Sequence, residues 1–453
     1  MPQDFNTWYA FRKGTGINKN IEKMTEKKSA IRETIIYFLL LSNAAFMFLL
    51  TEHNYSTRIL IGLLFVIPAL FYVKKNGIER PGKPIIALWT GMAVVALFYL
   101  ITGIMYRVKA YILISFVIAI IAPIIQQYFI QREDRIVDRM CIASAWFFAL
   151  LVLLSFLFGP SLSAIQFGGI LINQNALGLA CVTVFPAGLA LCRENKVKIG
   201  VLLIAADTAF IIFSTSRTAV IAVVLQMIYA LVIGISDVAH GHIKKEKLFR
   251  SIAAIAAVSV VVFFAFFWTF TTLKEAEARM FPSIQIEIDD GMEDLYLKFG
   301  AHMFKGLNGE GDYSFTSGRT GIWKDYLENL TFFGHEKEER DQVVSGTRIY
   351  FTTNAHNAYI QLAYGAGIPA GLGLLLVAIM AAFGCFRKSI PGIKGKRINN
   401  KDYYAVLIVL GFGIVSITSS SWMMFVHIPA TIFWAVVACL LADQDTPVNE
   451  KEN

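Results

Sequence analysis

The residues best suited to chemistry are an imidazole and an amide, His356 and Asn357, at the end of a long polar segment. They immediately precede an apolar run at 358–384 that is long enough to cross a membrane. The first turn of a helix has unpaired N–H groups and about +0.5 of an elementary charge. Such a position favours an anion, above all a phosphate. The sequence therefore predicts an anion-binding site around these two residues, where the chain enters the membrane.

Similar polar groups lie at the start of two earlier apolar runs, at 175–192 and 217–236. Others lie at the start of a stretch in the long polar segment whose apolar residues recur at helical spacing. They are Asn173, Asn175, Ser216, Arg217, Arg319 and Ser317, the last as the candidate N-cap of that helix. Two guanidiniums with amide and hydroxyl donors suit a large phosphorylated anion. A pyrophosphate is the natural candidate, because each arginine can donate two hydrogen bonds to one phosphate group.

Each of these residues also has a purely structural interpretation. Arg217 could anchor its helix at the membrane surface, with its charged end in the headgroup region. Arg319 could be an ordinary polar residue near a helix start, and His356 could simply cap its helix. Asn173 and Asn175 are typical cap or turn residues. The functional interpretation is favoured because all of them are predicted on one side of one membrane.

Two further polar residues lie in or near apolar runs. Asp207 lies within the run at 197–213, where an ionisable group is either functional or paired with a base such as Arg217. His427, near the start of the last run, is more typical of a packing residue.

Composition places the chain among membrane proteins that cross the bilayer several times. It has 453 residues, of which 56% are hydrophobic and 16% charged, and its mean hydropathy is +0.57. Soluble domains have about 25% charged residues. The net charge of +8 would suggest nucleic acid as a partner of a soluble protein, but here the basic residues are distributed as an orientation signal. The expected partners are membrane lipids, and no nucleic acid.

The predicted fold is all-α, with about twelve transmembrane helices and one long extracytoplasmic loop that contains short helices. The apolar runs are 34–50, 58–73, 84–103, 111–130, 140–159, 175–192, 197–213, 217–236, 251–271, 358–384, 403–419 and 422–441. The chain is predicted to begin with a basic cytoplasmic arm at 1–33, followed by transmembrane helices 1–9 over 34–271. The extracytoplasmic loop at 272–357, transmembrane helices 10–12 over 358–441 and a cytoplasmic tail at 442–453 complete it. Basic residues in alternate connections predict that both termini are cytoplasmic.

The long loop has one clear amphipathic stretch and no metal-binding pattern. Ile322, Trp323 and Tyr326 recur at helical spacing after Arg319, and a second helix is possible near Asp290–Phe304. The acidic residues of the loop are not spaced as a metal cage, and the chain has no Gly-rich phosphate loop or H-E-x-x-H motif. The prediction is a site without a metal or other cofactor.

The motifs resemble those of the O-antigen ligase and polymerase family. The main elements are Ser317-Gly318-Arg319-x-x-Ile322-Trp323, Gly334, His356-Asn357-x-x-Ile360-Gln361 and Gly367-Ile368-Pro369-x-Gly371, with weaker elements at Asn173-x-Asn175-x-x-Gly178 and Ser214-x-Ser216-Arg217. The resemblance covers about 165–385. It implies a metal-independent, inverting glycosyltransferase at the outer face of the bacterial inner membrane.

The same resemblance implies substrates and roles. The donor would be a glycan on undecaprenyl diphosphate, and the acceptor a lipid A core in a ligase or a carrier-linked repeat in a polymerase. Arg217 and Arg319 would bind the diphosphate, and His356 would be the general base or would position the acceptor hydroxyl. Asn173, Asn175, Ser216, Ser317 and Asn357 would bind substrate.

Two positions depart from the family pattern. Relatives often have an acidic residue where this chain has Gly365, so a histidine oriented by that acid would need another partner here. Relatives also often have proline where this chain has Gln174.

The rival prediction from another class is a polysaccharide flippase or other secondary transporter, for which twelve spans with a cytoplasmic N-terminus are also typical. Transporters usually place ionisable groups near the middle of the membrane. Here the polar residues concentrate at one rim and in one loop, which favours the enzyme. The sequence does not distinguish a ligase from a polymerase.

Overall fold

The fold of the protein is almost entirely helical. The computed structural model describes residues 16–51, 55–132, 135–159, 167–171, 173–194, 196–280, 319–345 and 348–442. Its helices are α1 Gly16–Thr51, α2 Tyr55–Leu64, α3 Ile67–Asn76, α4 Lys83–Met105, α5 Lys109–Phe116, α6 Ala122–Gln131, α7 Arg135–Phe158, α8 Gln174–Arg193, α9 Val197–Ser214, α10 Arg217–Ala239, α11 Lys245–Met280, α12 Arg319–Glu328, α13 Ala358–Ala366, α14 Ile368–Ile393, α15 Asn400–Thr418 and α16 Ile428–Val436. Short π and 3-10 turns lie at Val117–Ile121, Gly169–Leu171 and Val437–Leu440.

The described residues contain nine helices long and apolar enough to cross a membrane, or ten if the bent pair α2 and α3 forms one span. The predicted all-α membrane fold is therefore confirmed, but the number of twelve spans is not. The first predicted run lies inside the long helix α1. The last corresponds to an apolar helix at Ile428–Leu440, which is shorter than the roughly 20 residues that a span needs.

The predicted span at 358–384 is two helices. The helical conformation is interrupted at Gly367, whose φ of +103° lies in the region that favours glycine. Pro369 then occupies the first turn of α14, where a missing N–H costs nothing. His356 and Asn357 therefore precede the nine-residue helix α13, and the span itself begins only at Ile368.

The segment before α13 contains both a predicted and an unpredicted element. The amphipathic helix is confirmed as α12, and its buried Ile322 and Tyr326 pack against Ala355 and Tyr364. Strands β1 Arg340–Ser345 and β2 Arg348–Thr353 form an antiparallel hairpin. Helix α11 also continues into the predicted loop, as far as Met280. Ser317 and the helix considered near Asp290–Phe304 lie outside the described residues.

The middle of the helical bundle is α8, which contacts α7, α9, α10, α15 and α16. Gly178 allows its close approach to α10, because a Cβ at this position would lie 2.7 Å from the Cβ of Ser216. The spacing Asn-x-Asn-x-x-Gly thus combines two polar residues at the start of α8 with the small residue that brings α10 alongside.

Candidate active site

A cavity of about 290 Å³ lies where helices of the bundle begin. Five described helices start at it or beside it: α8, α10, α12, α13 and α16. Their N-termini bring partial positive charge to one place, which favours an anion. Five of the predicted site residues line this cavity: Asn173, Asn175, Ser216, Arg319 and His356. Among the described residues that line it, none is acidic.

The backbone that leads into His356 is held by three side chains. Trp323 donates its indole N–H to the carbonyl oxygen of Ala355 (2.8 Å), and Gln361 accepts from the N–H of Ala355 (2.6 Å). The N–H of His356 itself donates to Asn354 (3.0 Å). His356 has a φ of +48°, which is unusual for a residue with a side chain. Strained positions of this kind are common at functional sites.

Asn357 is a helix cap, and it does not line the cavity. Its side-chain oxygen accepts from the N–H groups of Tyr359 (3.0 Å) and Ile360 (3.1 Å) at the start of α13. The structure therefore does not bring Asn357 to the cavity as the predicted substrate ligand. It also excludes the alternative that His356 caps this helix, because the cap is its neighbour.

The two predicted arginines are near enough for the charge of one to act on the other. Arg319 lines the cavity, whereas Arg217 does not, although its chain neighbours Ser216 and Thr218 do. Burial, and then the charge of Arg217, lowers the pKa of Arg319 from its ordinary value. Two guanidiniums held near each other repel, so an anion between them would relieve the repulsion.

The protonation state of His356 is set by its burial and by the charge of the neighbouring Arg319. Burial, and then the charge of Arg319, lowers the pKa of His356 to about 4. The imidazole is therefore neutral at pH 7, which is the form that can accept a proton. Among the described residues, none hydrogen-bonds to this side chain.

The polar residues at the starts of α8 and α10 form hydrogen bonds with each other. Asn173 caps α8 by accepting from the N–H of Asn175 (2.8 Å), as the structural interpretation predicted. Ser216 donates to the side-chain oxygen of Asn175 (3.4 Å). With both oxygens so occupied, the amide N–H groups of the two asparagines are the donors that remain for a ligand. Gln174, the departure from proline, accepts from Thr215 (3.1 Å) and strengthens the same junction.

The space beside Gly365 is filled by an acidic residue from elsewhere in the chain. A Cβ at Gly365 would lie 2.7 Å from Cγ of Glu338. The Glu338 carboxylate accepts from the hydroxyl of Tyr99 in α4 (2.6 Å), and burial raises its pKa to about 7. The backbone oxygen of Glu338 accepts from Gln361, which also holds Ala355. Glu338 is thus linked to the His356 turn through Gln361.

The cavity also has lining residues that the sequence did not assign to the site. They are Arg58, Asn354, Thr418, Ser419, Ser420, Ser421 and His427. His427 was expected to be a packing residue. The sequence signal that could have identified Arg58 is an arginine at the start of the apolar run 58–73.

Asp207 is not part of the cavity lining. It is completely buried in α9, and neither carboxylate oxygen has a hydrogen-bond partner among the described residues. The ion pair with Arg217, one of the two roles considered for Asp207, is therefore not formed.

Comparison with known families identifies the class of this domain. Residues 200–376 match the family model described as O-antigen ligase. The chain carries an O-antigen ligase domain. The match includes Ser216, Arg217, Arg319 and His356, and it confirms the family predicted from the motifs. No curated protein matches the chain at a significant level.

Family and fold together define the protein in broad terms. An O-antigen ligase domain with several apolar helices indicates a multi-pass bacterial membrane protein of O-antigen ligase-like surface polysaccharide biosynthesis. The family match favours a glycan ligase or polymerase over the flippase or secondary transporter that was the rival prediction.

Proposed function

We propose that the protein transfers glycan from an undecaprenyl-diphosphate carrier to an acceptor hydroxyl at the outer face of the cytoplasmic membrane. The observation that carries this proposal is the meeting of Arg319, His356, Asn175 and Ser216 at one cavity where five described helices begin. The cavity combines cations, neutral donors and a proton acceptor. Both a ligase and a polymerase need this combination.

Arg319 and Arg217 would bind the diphosphate of the donor. Negative charge grows on the leaving diphosphate as its bond to the sugar breaks, and two nearby cations stabilise that charge most in the transition state. Burial, and then the charge of Arg217, lowers the pKa of Arg319, and a bound anion would offset that repulsion, which supports this role.

His356 would accept the proton of the attacking hydroxyl. Its pKa of about 4 keeps the imidazole neutral, and its fixed turn keeps the ring at the cavity wall. A diphosphate bound to Arg319 would offset the arginine charge and raise the basicity of His356 when the donor is present. The base would therefore become stronger at the moment when it is needed.

Direct attack by the acceptor would invert the anomeric centre. The new glycosidic C–O bond forms as the C–O bond to the diphosphate breaks, and the bonding electrons leave with the diphosphate oxygen. The proton of the acceptor hydroxyl passes to His356. In this proposal the arginines supply the positive charge, so the reaction needs no metal ion.

The test is complementation of a strain that lacks the protein, using the variants Arg217→Ala, Arg319→Ala and His356→Ala. Each variant should lower transfer by about 10²–10³-fold, the usual cost of removing one group that stabilises transition-state charge or moves a proton. High-molecular-weight or attached glycan should disappear while carrier-linked precursor accumulates. Long precursor chains would indicate a ligase, and single repeats a polymerase.

Two matched controls separate loss of chemistry from loss of protein. Lys324 lies in the same helix as Arg319, and its side chain is 78% exposed. His242 is an exposed histidine in the turn between α10 and α11. Lys324→Ala and His242→Ala should keep wild-type glycan at equal membrane levels. Wild-type glycan from the three site variants would instead refute the proposed function.

A further inference from the structure

The connection between α12 and β1, residues 329–339, is hydrogen-bonded to the C-terminal end of α4. Three hydroxyl groups spaced three and four residues apart donate to it, those of Tyr99, Thr102 and Tyr106. The hydroxyls of Thr102 and Tyr106 donate to backbone carbonyl oxygens of the connection. The hydroxyl of Tyr99 instead donates to a side chain, the carboxylate of Glu338 (2.6 Å). One acidic side chain is thus part of the contact between this connection and α4.

Glu338 is also the residue of this contact that is linked to the His356 turn. Its backbone carbonyl oxygen accepts from the side-chain amide of Gln361 in α13. Gln361 in turn accepts from the N–H of Ala355, the residue before His356 (2.6 Å). Three hydrogen bonds and the residues between them therefore connect Tyr99 in α4 with the backbone that leads into His356.

Two glycines confine Glu338 between α4 and α13. A Cβ at Gly365 in α13 would lie 2.7 Å from Cγ of Glu338. On the other side of the contact, a Cβ at Gly334 would overlap with the carbonyl oxygen of Gly365, which also accepts from the N–H of His335 (3.0 Å). The connection therefore lies directly against the α13 backbone. Such close packing leaves the Glu338 side chain little freedom to move.

The carboxyl group of Glu338 lies in a poorly hydrated place. Tyr99, its partner, is completely buried, and the Tyr99 ring packs against two other buried aromatic rings. Burial raises the pKa of Glu338 to about 7. Removing a carboxyl group from water is unfavourable unless it is hydrogen-bonded. Because Thr102 and Tyr106 already hold the connection on α4, this desolvated contact indicates a role beyond holding the connection in place.

We propose that Glu338 is a positioning residue for the transfer reaction. Its carboxyl group, held by Tyr99, fixes the backbone of Glu338, and Gln361 transmits that position to Ala355 and so to the imidazole of His356. The inference rests on the proposed function and adds to it a residue that does not line the cavity. The Tyr99 hydroxyl can donate to a neutral acid as well as to a carboxylate, so the contact does not require a charge.

The proposal predicts which kinetic constant depends on Glu338. A reacting group displaced by about 1 Å can lose about 10²-fold in rate, and a smaller displacement loses less. Without the carboxyl group, the His356 turn is free to shift, so proton transfer should slow. Donor binding should persist, because Arg319 and Arg217 are proposed to hold the diphosphate. The change is therefore expected in kcat and not in the donor KM.

The experiment measures transfer by the purified full-length chain in lipid nanodiscs. The donor is the carrier-linked precursor that accumulates in the strain lacking the protein, and the acceptor is either the same precursor or the lipid core of that strain. Glu338→Ala should lower kcat about tenfold and change the donor KM by less than about twofold. Glu338→Gln keeps an oxygen that accepts from Tyr99, so its kcat should stay within about twofold of the wild-type value.

The partner residue supplies a second test. Tyr99→Phe removes the same hydrogen bond and should lower kcat by a factor similar to that of Glu338→Ala. The double variant should lose no more than either single variant, because both act through one contact. Tyr106→Phe is the matched control. It removes a hydroxyl that donates from the end of the same helix to the carbonyl oxygen of Gly334 (3.4 Å), which is not linked to Gln361, and it should keep the wild-type kcat.

The outcomes separate the two proposals. A wild-type kcat in Glu338→Ala, an equal loss in Glu338→Gln, or an equal loss in Tyr106→Phe would overturn the positioning role while leaving the transferase intact. No transfer to either acceptor by the wild-type protein would refute the proposed function itself. If Glu338→Ala does not fold, the comparison of Tyr99→Phe with Tyr106→Phe still decides the matter, because both variants keep Glu338.

Discussion

At the scale of single residues, the site depends on how Arg319 and His356 affect each other. Burial and the arginine charge both disfavour the protonated imidazole, so the pKa of His356 falls to about 4. The arginine that is proposed to bind the donor therefore also keeps the base unprotonated before the donor arrives. The two residues lie 37 positions apart in the sequence, and their proximity in space makes this coupling possible.

This coupling predicts a pH dependence. For the free enzyme, kcat/KM should stay constant from neutral pH downward and should fall only as pH approaches about 4, where His356 becomes protonated. Arg319→Gln removes one of the two causes of the shift, so the acid limb should move upward, toward the ordinary histidine value of about 6.5. Transfer rates from pH 4 to pH 8 at low donor concentration would measure both profiles.

Arg319→Lys is the matched control, because it keeps the positive charge and should leave the acid limb near the wild-type position. Whatever activity remains in His356→Gln should show no limb in this range. An acid limb that stays in place in Arg319→Gln would show that the arginine charge does not set the protonation of His356.

At the scale of elements, most motif residues build the frame that carries Arg319 and His356. Trp323 and Gln361 hold the two sides of Ala355, and Asn357 caps α13. Gly367 breaks the chain between α13 and α14. None of these four residues lines the cavity. A motif alone therefore identifies a region, and the structure is needed to separate its ligands from its supports.

The sequence predicted helix α12 correctly because its apolar residues recur at helical spacing. It did not predict the hairpin of β1 and β2, which lies within a polar segment of mixed charge. The break at Gly367 was also missed, because a hydrophobic run looks continuous whether or not one glycine has a positive φ. Arg58 and residues 419–421 could not be joined to the site from sequence, since more than 350 positions separate them and only packing brings them together.

The contact between Gly365 and Glu338 predicts that the effect of Gly365→Ala on the free energy of unfolding depends on whether Glu338 is present. Gly365→Ala should destabilise the wild-type protein by roughly 1–3 kcal/mol, because the new methyl group would overlap with the Glu338 side chain. In a Glu338→Ala background the same change should be neutral or stabilising by about 0.5–1 kcal/mol, since Gly365 lies in helix α13. Thermal unfolding of the four purified proteins completes the double-mutant cycle.

Gly413 provides the control for this cycle, because no heavy atom lies within 4 Å of a Cβ built at that position in α15. Gly413→Ala should therefore have the same effect with Glu338 present or absent. An equal cost of Gly365→Ala in both backgrounds would mean that Glu338 does not occupy the space beside this glycine.

At the scale of the whole molecule, alternation of helix direction explains why the site is at one end of the bundle. Consecutive membrane helices run in opposite directions, so α8 and α10, two positions apart in the series, start on the same side. Helix α16 starts on that side too, and all three begin at the cavity. The prediction that polar helix starts share one side was made from apolar runs and basic residues alone. The packing of the helices is consistent with it.

The side on which this end lies is testable. The distribution of basic residues predicts that Lys324, in the segment that carries Arg319, faces the outside, and that Lys244, in the turn before α11, faces the cytoplasm. Both lysines are exposed, and α11 is the only candidate span between them in the described part of the chain. In spheroplasts, a membrane-impermeant maleimide should therefore label Lys324→Cys directly and Lys244→Cys only after permeabilisation. The unmodified chain, whose native cysteines are buried or half-buried, gives the background. The reverse labelling pattern would place the cavity on the cytoplasmic side, where an outward-facing carrier-linked glycan could not reach Arg319 and His356.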